Sequence, residues 1–210
     1  MRKHWKWALV LLMVAHVGLS LLVFEPEPHT GGDNAGYLAL AKSLLQNHQY
    51  RDIYDPAAPP HTQYPPVFPA ILAVAITLGV KPWVQLKLLI VAFSAAAVAF
   101  SYLWMRRHGR PELATGVAAV LAFSPGVLAQ NHWVLSDVPF WAMTMVAVWA
   151  WQRMPDGLRA RFFVAVLLTT LAYFTRSAGL PLLLAAGAWL AWRRRWKQLI
   201  VFAAVIVPLA

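Results

Sequence analysis

Long apolar runs with almost no charge, each bordered on at least one side by arginine or lysine, set the terms for this chain. Residues 7–24, 84–105, 113–129, 138–151, 162–175 and 179–192 form such runs, and a further one begins at Leu199. A helix needs about 20 apolar residues to cross the hydrocarbon core of a bilayer. In that medium every backbone polar group must be satisfied within the helix itself. The pattern therefore predicts an all-α fold, a polytopic transmembrane bundle of about seven spans, several of them short. Only 12% of the 210 residues are charged and 60% are hydrophobic, whereas roughly a quarter of a soluble domain is charged.

The formal net charge of +10 invites a nucleic-acid reading, which the placement of the bases argues against. They sit at the ends of apolar runs, where they meet anionic headgroups, and form no stripe beside a soluble core. The 210 residues contain no cysteine, which removes disulfides, thiolate zinc sites and thiol catalysis from this chain. Met1-Arg2-Lys3-His4-Trp5-Lys6 and the run behind it have the outline of a signal peptide. The run is too long for one, however, and it closes on Phe24-Glu25-Pro26 in place of small residues. An uncleaved first helix is expected.

Residues 67–80 are apolar but short, and lie between Tyr64-Pro65-Pro66 and Gly79-Val80-Lys81-Pro82. Charge parity decides their reading. If they do not cross, 13 of the 18 Lys and Arg fall on one face, and Glu25, Glu27, Asp33, Asp52, Asp55 and Asp137 fall on the other. The positive-inside rule makes the basic face cytoplasmic, with the N-terminus there. The expectation is a single module over 1–210 with a long first outer loop, 25–83, holding two juxtamembrane helices. One is 67–80. The other, 34–48, places Tyr37, Leu38, Ala41, Leu44 and Leu45 on one helical stripe and Lys42, Ser43, Gln46 and Asn47 off it.

The outer face then gathers Asp33, Asp137 and Arg176, with Tyr64 to Pro69 opening the second juxtamembrane helix. Two carboxylates and a guanidinium at a membrane edge suit a lipid-phosphate substrate, because arginine pairs with phosphate and a carboxylate accepts a proton from a hydroxyl. Each residue also has a plainer reading. Asp33 is placed to cap a helix, Ser136-Asp137-Val138-Pro139 has the form of a helix start, and Arg176 is placed to snorkel to the interface. His29, His48, His61 and His132 share that face without metal-ligand spacing, although His29, Asp33 and His61 together would offer a divalent cation a site.

Four segments in this order resemble the outer-face motifs of GT-C fold glycosyltransferases. Gly32-Asp33-Asn34-Ala35-Gly36-Tyr37 through Ala41 is similar to their D-x-x-x-Y-x-x-x-A opening of the first outer loop. Tyr64-Pro65-Pro66-Val67-Phe68-Pro69 resembles their Y-P-P-x-x-P. The stretch from Leu121 through Pro125 to Leu135-Ser136-Asp137-Val138-Pro139 is similar to their second outer motif. Leu171-Ala172-Tyr173-Phe174-Thr175-Arg176-Ser177-Ala178-Gly179 resembles their L-A-x-x-T-[RK]-x-x-G step. The resemblance covers roughly residues 5–195 and is nearest to the group of protein O-mannosyltransferases and aminoarabinose lipid A transferases. Asp33 followed by Asn34 departs from the Asp-Glu of the O-mannosyltransferases.

The resemblance implies transfer of a sugar from a polyprenyl-phosphate donor to a lipid, glycan or protein acceptor at the periplasmic face of a bacterial inner membrane. By the same implication Asp33 is the catalytic base, Asp137 organises acceptor, donor or a cation, and Arg176 meets the carrier phosphate. Tyr37, Tyr64 and His61 complete the expected substrate-contacting set, with no resident cofactor required. Relatives of this kind continue past an apolar run such as the one reached at Val207-Pro208-Leu209-Ala210, so the chain reads as an N-terminal portion. The competing expectations are a non-catalytic scaffold or lipid-carrier translocase, and a small transporter. A transporter would favour mid-bilayer ionisable groups and an inverted repeat, and no repeat is evident.

Overall fold

The computed structural model describes residues 4–28, 33–81, 83–154 and 156–208, with side chains from Trp7 onward. Ten α-helices fill these segments: α1 (His4–Leu22), α2 (Asn34–Asn47), α3 (Val67–Thr77), α4 (Val84–His108), α5 (Pro111–Phe123), α6 (Pro125–Gln130), α7 (Asp137–Gln152), α8 (Ala160–Thr175), α9 (Leu180–Trp192) and α10 (Trp196–Ile206), with a 3-10 turn at Ser177–Gly179. Extended pairing among the described residues is confined to one bridge, Arg51 to Pro60. The chain is all-α.

Among the described residues, α4 alone is long and apolar enough to cross a bilayer by length and composition. Its 25 residues rise roughly 37 Å at 1.5 Å each. The other apolar helices of 10 residues or more are shorter, α3 and α10 the shortest of them at 11 residues, or roughly 16 Å. α3 stops because Gly79 adopts φ +88°, the left-handed region that favours glycine, while the Val80 N–H returns to the Ala75 carbonyl at 3.0 Å. A helix of that length cannot cross a core about 30 Å thick. It packs instead on α2 and α8, with Phe68 and Leu72 fully buried.

Helices joined by short loops, α4 with α5, α7 with α8 and α9 with α10, run in opposite directions, while α4 and α7 pack side by side in parallel, which sorts their ends. One end of the bundle joins the C-termini of α4, α7 and α9 to the N-termini of α8 and α10. There the Gln152 and His108 side chains meet at 3.2 Å, Gln198 donates to the Gly157 carbonyl at 2.7 Å, and Arg195 pairs with Asp156. The opposite end joins the end of α1 to the starts of α4 and α7. Lys87 Nζ donates to the Glu25 and Glu27 carbonyls at 2.7 and 2.5 Å, and the Glu25 N–H donates to His132 Nδ1 at 3.1 Å. We call these the arginine end and the carboxylate end.

The run expected over 113–129 is two helices. Pro125 takes the first turn of α6 and forces Ser124 into extended geometry, φ −64° and ψ 123°. That break leaves carbonyls of the last α5 turn without intrahelical donors. His16 of α1 satisfies one of them: its Nδ1–H donates to the Ala122 carbonyl at 2.8 Å, while Nε2 accepts from the Ser94 hydroxyl at 2.9 Å. A buried histidine in an apolar run is thus explained by a proline 109 positions away in sequence. Around it the small residues Ala114, Ala118 and Ala122 let α5 close on α4 and α1.

The buried face of α2 is broader than the expected stripe. Tyr37, Leu38 and Ala41 are buried as expected, but so are Leu40 and Ser43. Ser43 turns inward because its hydroxyl donates to the Gln49 carbonyl at 2.9 Å and accepts from the Arg51 N–H at 3.3 Å, folding the chain back after the helix. The rest of the 25–83 loop is similarly organised. The Asp52 N–H reaches the Pro59 carbonyl and the His61 N–H reaches the Tyr50 carbonyl, both at 3.0 Å. Residues 50–61 form a closed turn that sets His61 beneath Tyr64. Large apolar side chains cover much of the exterior of α1, α5, α8, α9 and α10, among them Leu11, Val14, Val120, Leu167, Leu184 and Ile200.

Candidate active site

The carboxylate end rests on one apolar cluster in which Tyr37, Leu38, Phe68, Leu72, Leu86, Ile90, Val134 and Val138 bring α2, α3, α4 and α7 together. Tyr37 is its polar tip. The ring lies edge-on to Phe68, 5.0 Å between centroids, and beside Tyr64 at 4.7 Å. Its hydroxyl shares a 2.8 Å hydrogen bond with Ser136 Oγ. Burial raises the Tyr37 phenol above its ordinary value. The Ser136 bond and the Arg176 charge oppose that shift, and the charges of Asp33 and Asp137 add to it. One hydroxyl therefore feels both carboxylates and the guanidinium.

Arg176 reaches this point because of how α8 ends. The helix stops at Thr175, and Arg176 is extended at φ −158° and ψ 133°, its N–H shared between the Ala172 and Tyr173 carbonyls. The chain then doubles back through the 3-10 turn, which Gly179 closes with an N–H to the Arg176 carbonyl at 2.8 Å. A Cβ on Gly179 would sit 2.6 Å from Tyr173 Cα and 2.9 Å from Tyr173 N, both rigid backbone atoms. Only glycine allows this approach. So placed, Arg176 Nη1 donates to Asp137 Oδ2 at 2.6 Å and to Ser136 Oγ at 3.2 Å. Both side chains of the ion pair stay open to solvent, at 40% and 44% exposure.

Asp33 precedes α2 at the capping position, yet its side chain makes no capping bond. Partial burial and the nearby Asp33 carboxylate push the Tyr64 phenol up to about 12. Tyr64 is itself held from below. Its N–H donates to His61 Nε2 at 2.8 Å, which leaves the His61 proton on Nδ1, where it meets Asp52 Oδ1 at 2.5 Å. The Tyr50 hydroxyl donates to the Tyr64 carbonyl at 2.9 Å.

The structure thus brings together Asp33, Tyr64, Tyr37, Asp137 and Arg176. His61 belongs to the layer beneath: nearly buried and with both ring nitrogens engaged, it positions Tyr64. A cation held by His29, Asp33 and His61 does not fit that arrangement, since His61 has no free nitrogen; His29 lies outside the described residues. Among the described residues no three His, Cys, Asp or Glu gather as a metal-ligand group. No family model matches this chain, and neither a curated protein nor a solved structure does.

Two residues of the site carry no sequence signal of their own. Ser136 looks like an ordinary helix cap, but its hydroxyl makes no capping bond and joins Tyr37 to Arg176 instead. Asn34, fully buried, accepts the Val134 N–H on Oδ1 at 2.7 Å and so fastens the start of α2 to the segment before α7. Beside this group a cleft of about 330 Å³ opens between the Tyr64 loop and the end of α8, with Tyr50, Tyr64, Pro66, Tyr173, Phe174 and Ser177 in its walls. Asp33, Asp137 and Arg176 do not line it; they flank it through Tyr64 and Ser177. A roomier cleft lies at the arginine end, away from this chemistry.

Proposed function

We propose that this chain is a membrane glycosyltransferase module that moves a sugar from a polyprenyl-phosphate carrier to an acceptor hydroxyl. The observation that carries the proposal is the meeting of Asp33, Asp137 and Arg176, from three separated stretches of sequence, around Tyr37 and Ser136. The order of the four motif-like segments along the chain supports the same reading.

In this proposal α1, α4, the α5–α6 pair, α7, α8, α9 and α10 are the spans, and α2 and α3 lie in the outer interface. Its supports are the apolar exteriors of α1, α5, α8, α9 and α10 and the separation of arginine knots from the carboxylate end. The helices shorter than 20 residues are completed by the polar residues and turns at their ends. The carboxylate end faces the periplasm of a bacterial inner membrane, and the arginine end faces the cytoplasm.

Asp33 acts as the base. Its carboxylate is exposed, which leaves lone pairs for the acceptor proton. As that proton moves to Asp33, the acceptor oxygen bonds to the anomeric carbon. The bond from that carbon to the phosphate oxygen breaks, and its electron pair leaves on the carrier phosphate. Arg176 meets the new charge with the N–H donors that Asp137 and Ser136 leave free. Asp137 holds the guanidinium in place, and the apolar surfaces of α2 and α3 wall the carrier's path. A single displacement inverts the anomeric configuration.

The test is turnover by the full chain in vesicles containing mannosyl or aminoarabinosyl polyprenyl phosphate, followed as release of polyprenyl phosphate. Turnover by the wild type, with Arg176→Gln needing much more donor for half-maximal rate, supports the proposal. A wild type that binds carrier lipid and releases no sugar from any donor rejects it in favour of a scaffold or lipid-carrier translocase.

A further inference from the structure

The arginine end holds a second organised group that the transfer chemistry does not use. Arg107 from the last turn of α4, Arg153 at the end of α7 and Arg161 in the first turn of α8 converge on one cleft of about 540 Å³, with Trp149, Ala150 and Val164 completing its wall. None of the three arginines forms an ion pair among the described residues. Of the two acids at this end, Asp156 is taken by Arg195, and Glu112 in the first turn of α5 pairs with none of the three among the described residues.

Three like charges from three helices repel one another, and the helix termini offset only part of that. The C-termini of α4 and α7 contribute roughly half a negative charge each, and the N-terminus of α8 roughly half a positive one. The cleft is left strongly positive. It is also prearranged: the Arg153 guanidinium stacks 3.9 Å over the Trp149 ring, and Phe100 packs edge-on against that ring at 5.3 Å. Stacking uses the face of the guanidinium and leaves its in-plane N–H donors pointing outward, in the fork that matches phosphate oxygens. Val164, Ala150 and the indole give the same cleft an apolar wall.

We propose that this cleft is a binding site for a phosphate group, carried either by an anionic phospholipid or by a soluble phosphate. The apolar wall beside the guanidinium fork favours the lipid. On the membrane orientation proposed above, that is a headgroup of the cytoplasmic leaflet, but the binding itself does not depend on sugar transfer at the other end.

Native mass spectrometry of the full chain in neutral detergent tests it, with phosphatidylglycerol, phosphatidylcholine and inorganic phosphate as separate probes. Phosphatidylglycerol should be retained in preference to phosphatidylcholine. Its affinity should fall at least about tenfold in the Arg153→Gln/Arg161→Gln variant. The Arg193→Gln/Arg194→Gln variant, which loses the same formal charge outside the cleft, should stay within about twofold of wild type. Equal losses in the two variants overturn the proposal, because bulk electrostatics would then account for the binding. Equal retention of phosphatidylcholine overturns it as well. Inorganic phosphate that competes as tightly as the lipid, with the same variant dependence, supports phosphate recognition and overturns the lipid as its source. All three residues are exposed, so unchanged melting temperatures in both variants serve as the folding control.

Discussion

Replacing Gly179 with alanine tests the construction of the site without touching any group assigned to its chemistry. The added Cβ would lie 2.6 Å from Tyr173 Cα, 2.9 Å from Tyr173 N and 3.2 Å from the Ala172 carbonyl carbon. Restoring ordinary contact near 3.5 Å requires roughly 1 Å of movement between the 3-10 turn and the end of α8. Neither side of the clash is a side chain that can swing away. Overpacking of this kind costs about 1–3 kcal/mol, a fall in melting temperature of roughly 2–12 °C for a chain of this size. Arg176 lies between the clashing elements, so the same movement disturbs its 2.6 Å bond to Asp137. A 1 Å misplacement near reacting atoms costs on the order of a hundredfold in rate. The assay is paired melting and sugar transfer for Gly179→Ala, with Gly18→Ala and Gly116→Ala as controls. A Cβ at either control position meets nothing within 4 Å, and alanine in a helix interior gains up to about 1 kcal/mol over glycine. If Gly179→Ala melts and turns over like Gly116→Ala, the packing argument for the placement of Arg176 is refuted.

Asn34→Ala strips the Val134 N–H of its acceptor and should cost about 1–3 kcal/mol in unfolding measurements, whereas Asn34→Asp keeps an acceptor and should lose less. His16→Leu leaves the Ala122 carbonyl and the Ser94 hydroxyl without their partner inside the bundle, and a loss of similar size is expected on melting. The Tyr64 phenol, raised to about 12 in the folded protein from about 10 in an unfolded chain, is a group whose protonated form folding favours. Its contribution is fully present below pH ~10 and is lost as pH rises through about 12. A tyrosinate absorbance titration of Tyr64→Phe against wild type should lack a step near pH 12; a missing step near 10 contradicts the burial of Tyr64 beside the Asp33 carboxylate.

The helical architecture was legible because apolar length and charge placement act locally. The short reach of 67–80 followed from its length, and Gly79 explains where that helix stops. Ser43, expected off the stripe, is buried, and Leu40 is buried beyond it, because a stripe drawn on one helix ignores a chain that folds back over its other side. The break at Ser124-Pro125 was written in the sequence as a proline, but its partner, His16, was not, since only packing reveals which carbonyl a distant histidine satisfies. At the site, charge parity predicts Asp33, Asp137 and Arg176 on one face, and the structure gathers them at one end of the bundle. Ser136 was hidden by its resemblance to a helix cap, Asn34 by the more conspicuous acid beside it, and His61 carried no sign that Asp52 and the Tyr64 backbone would occupy both its nitrogens.

The central claim is that Asp33 removes the acceptor proton. Single-turnover transfer at saturating donor, comparing Asp33→Asn with wild type, tests it most directly. Asparagine keeps the shape but cannot take a proton, so donor affinity and melting temperature should hold while the rate falls by about 10²- to 10⁴-fold. An Asp33→Asn chain that transfers sugar at nearly the wild-type rate contradicts the account.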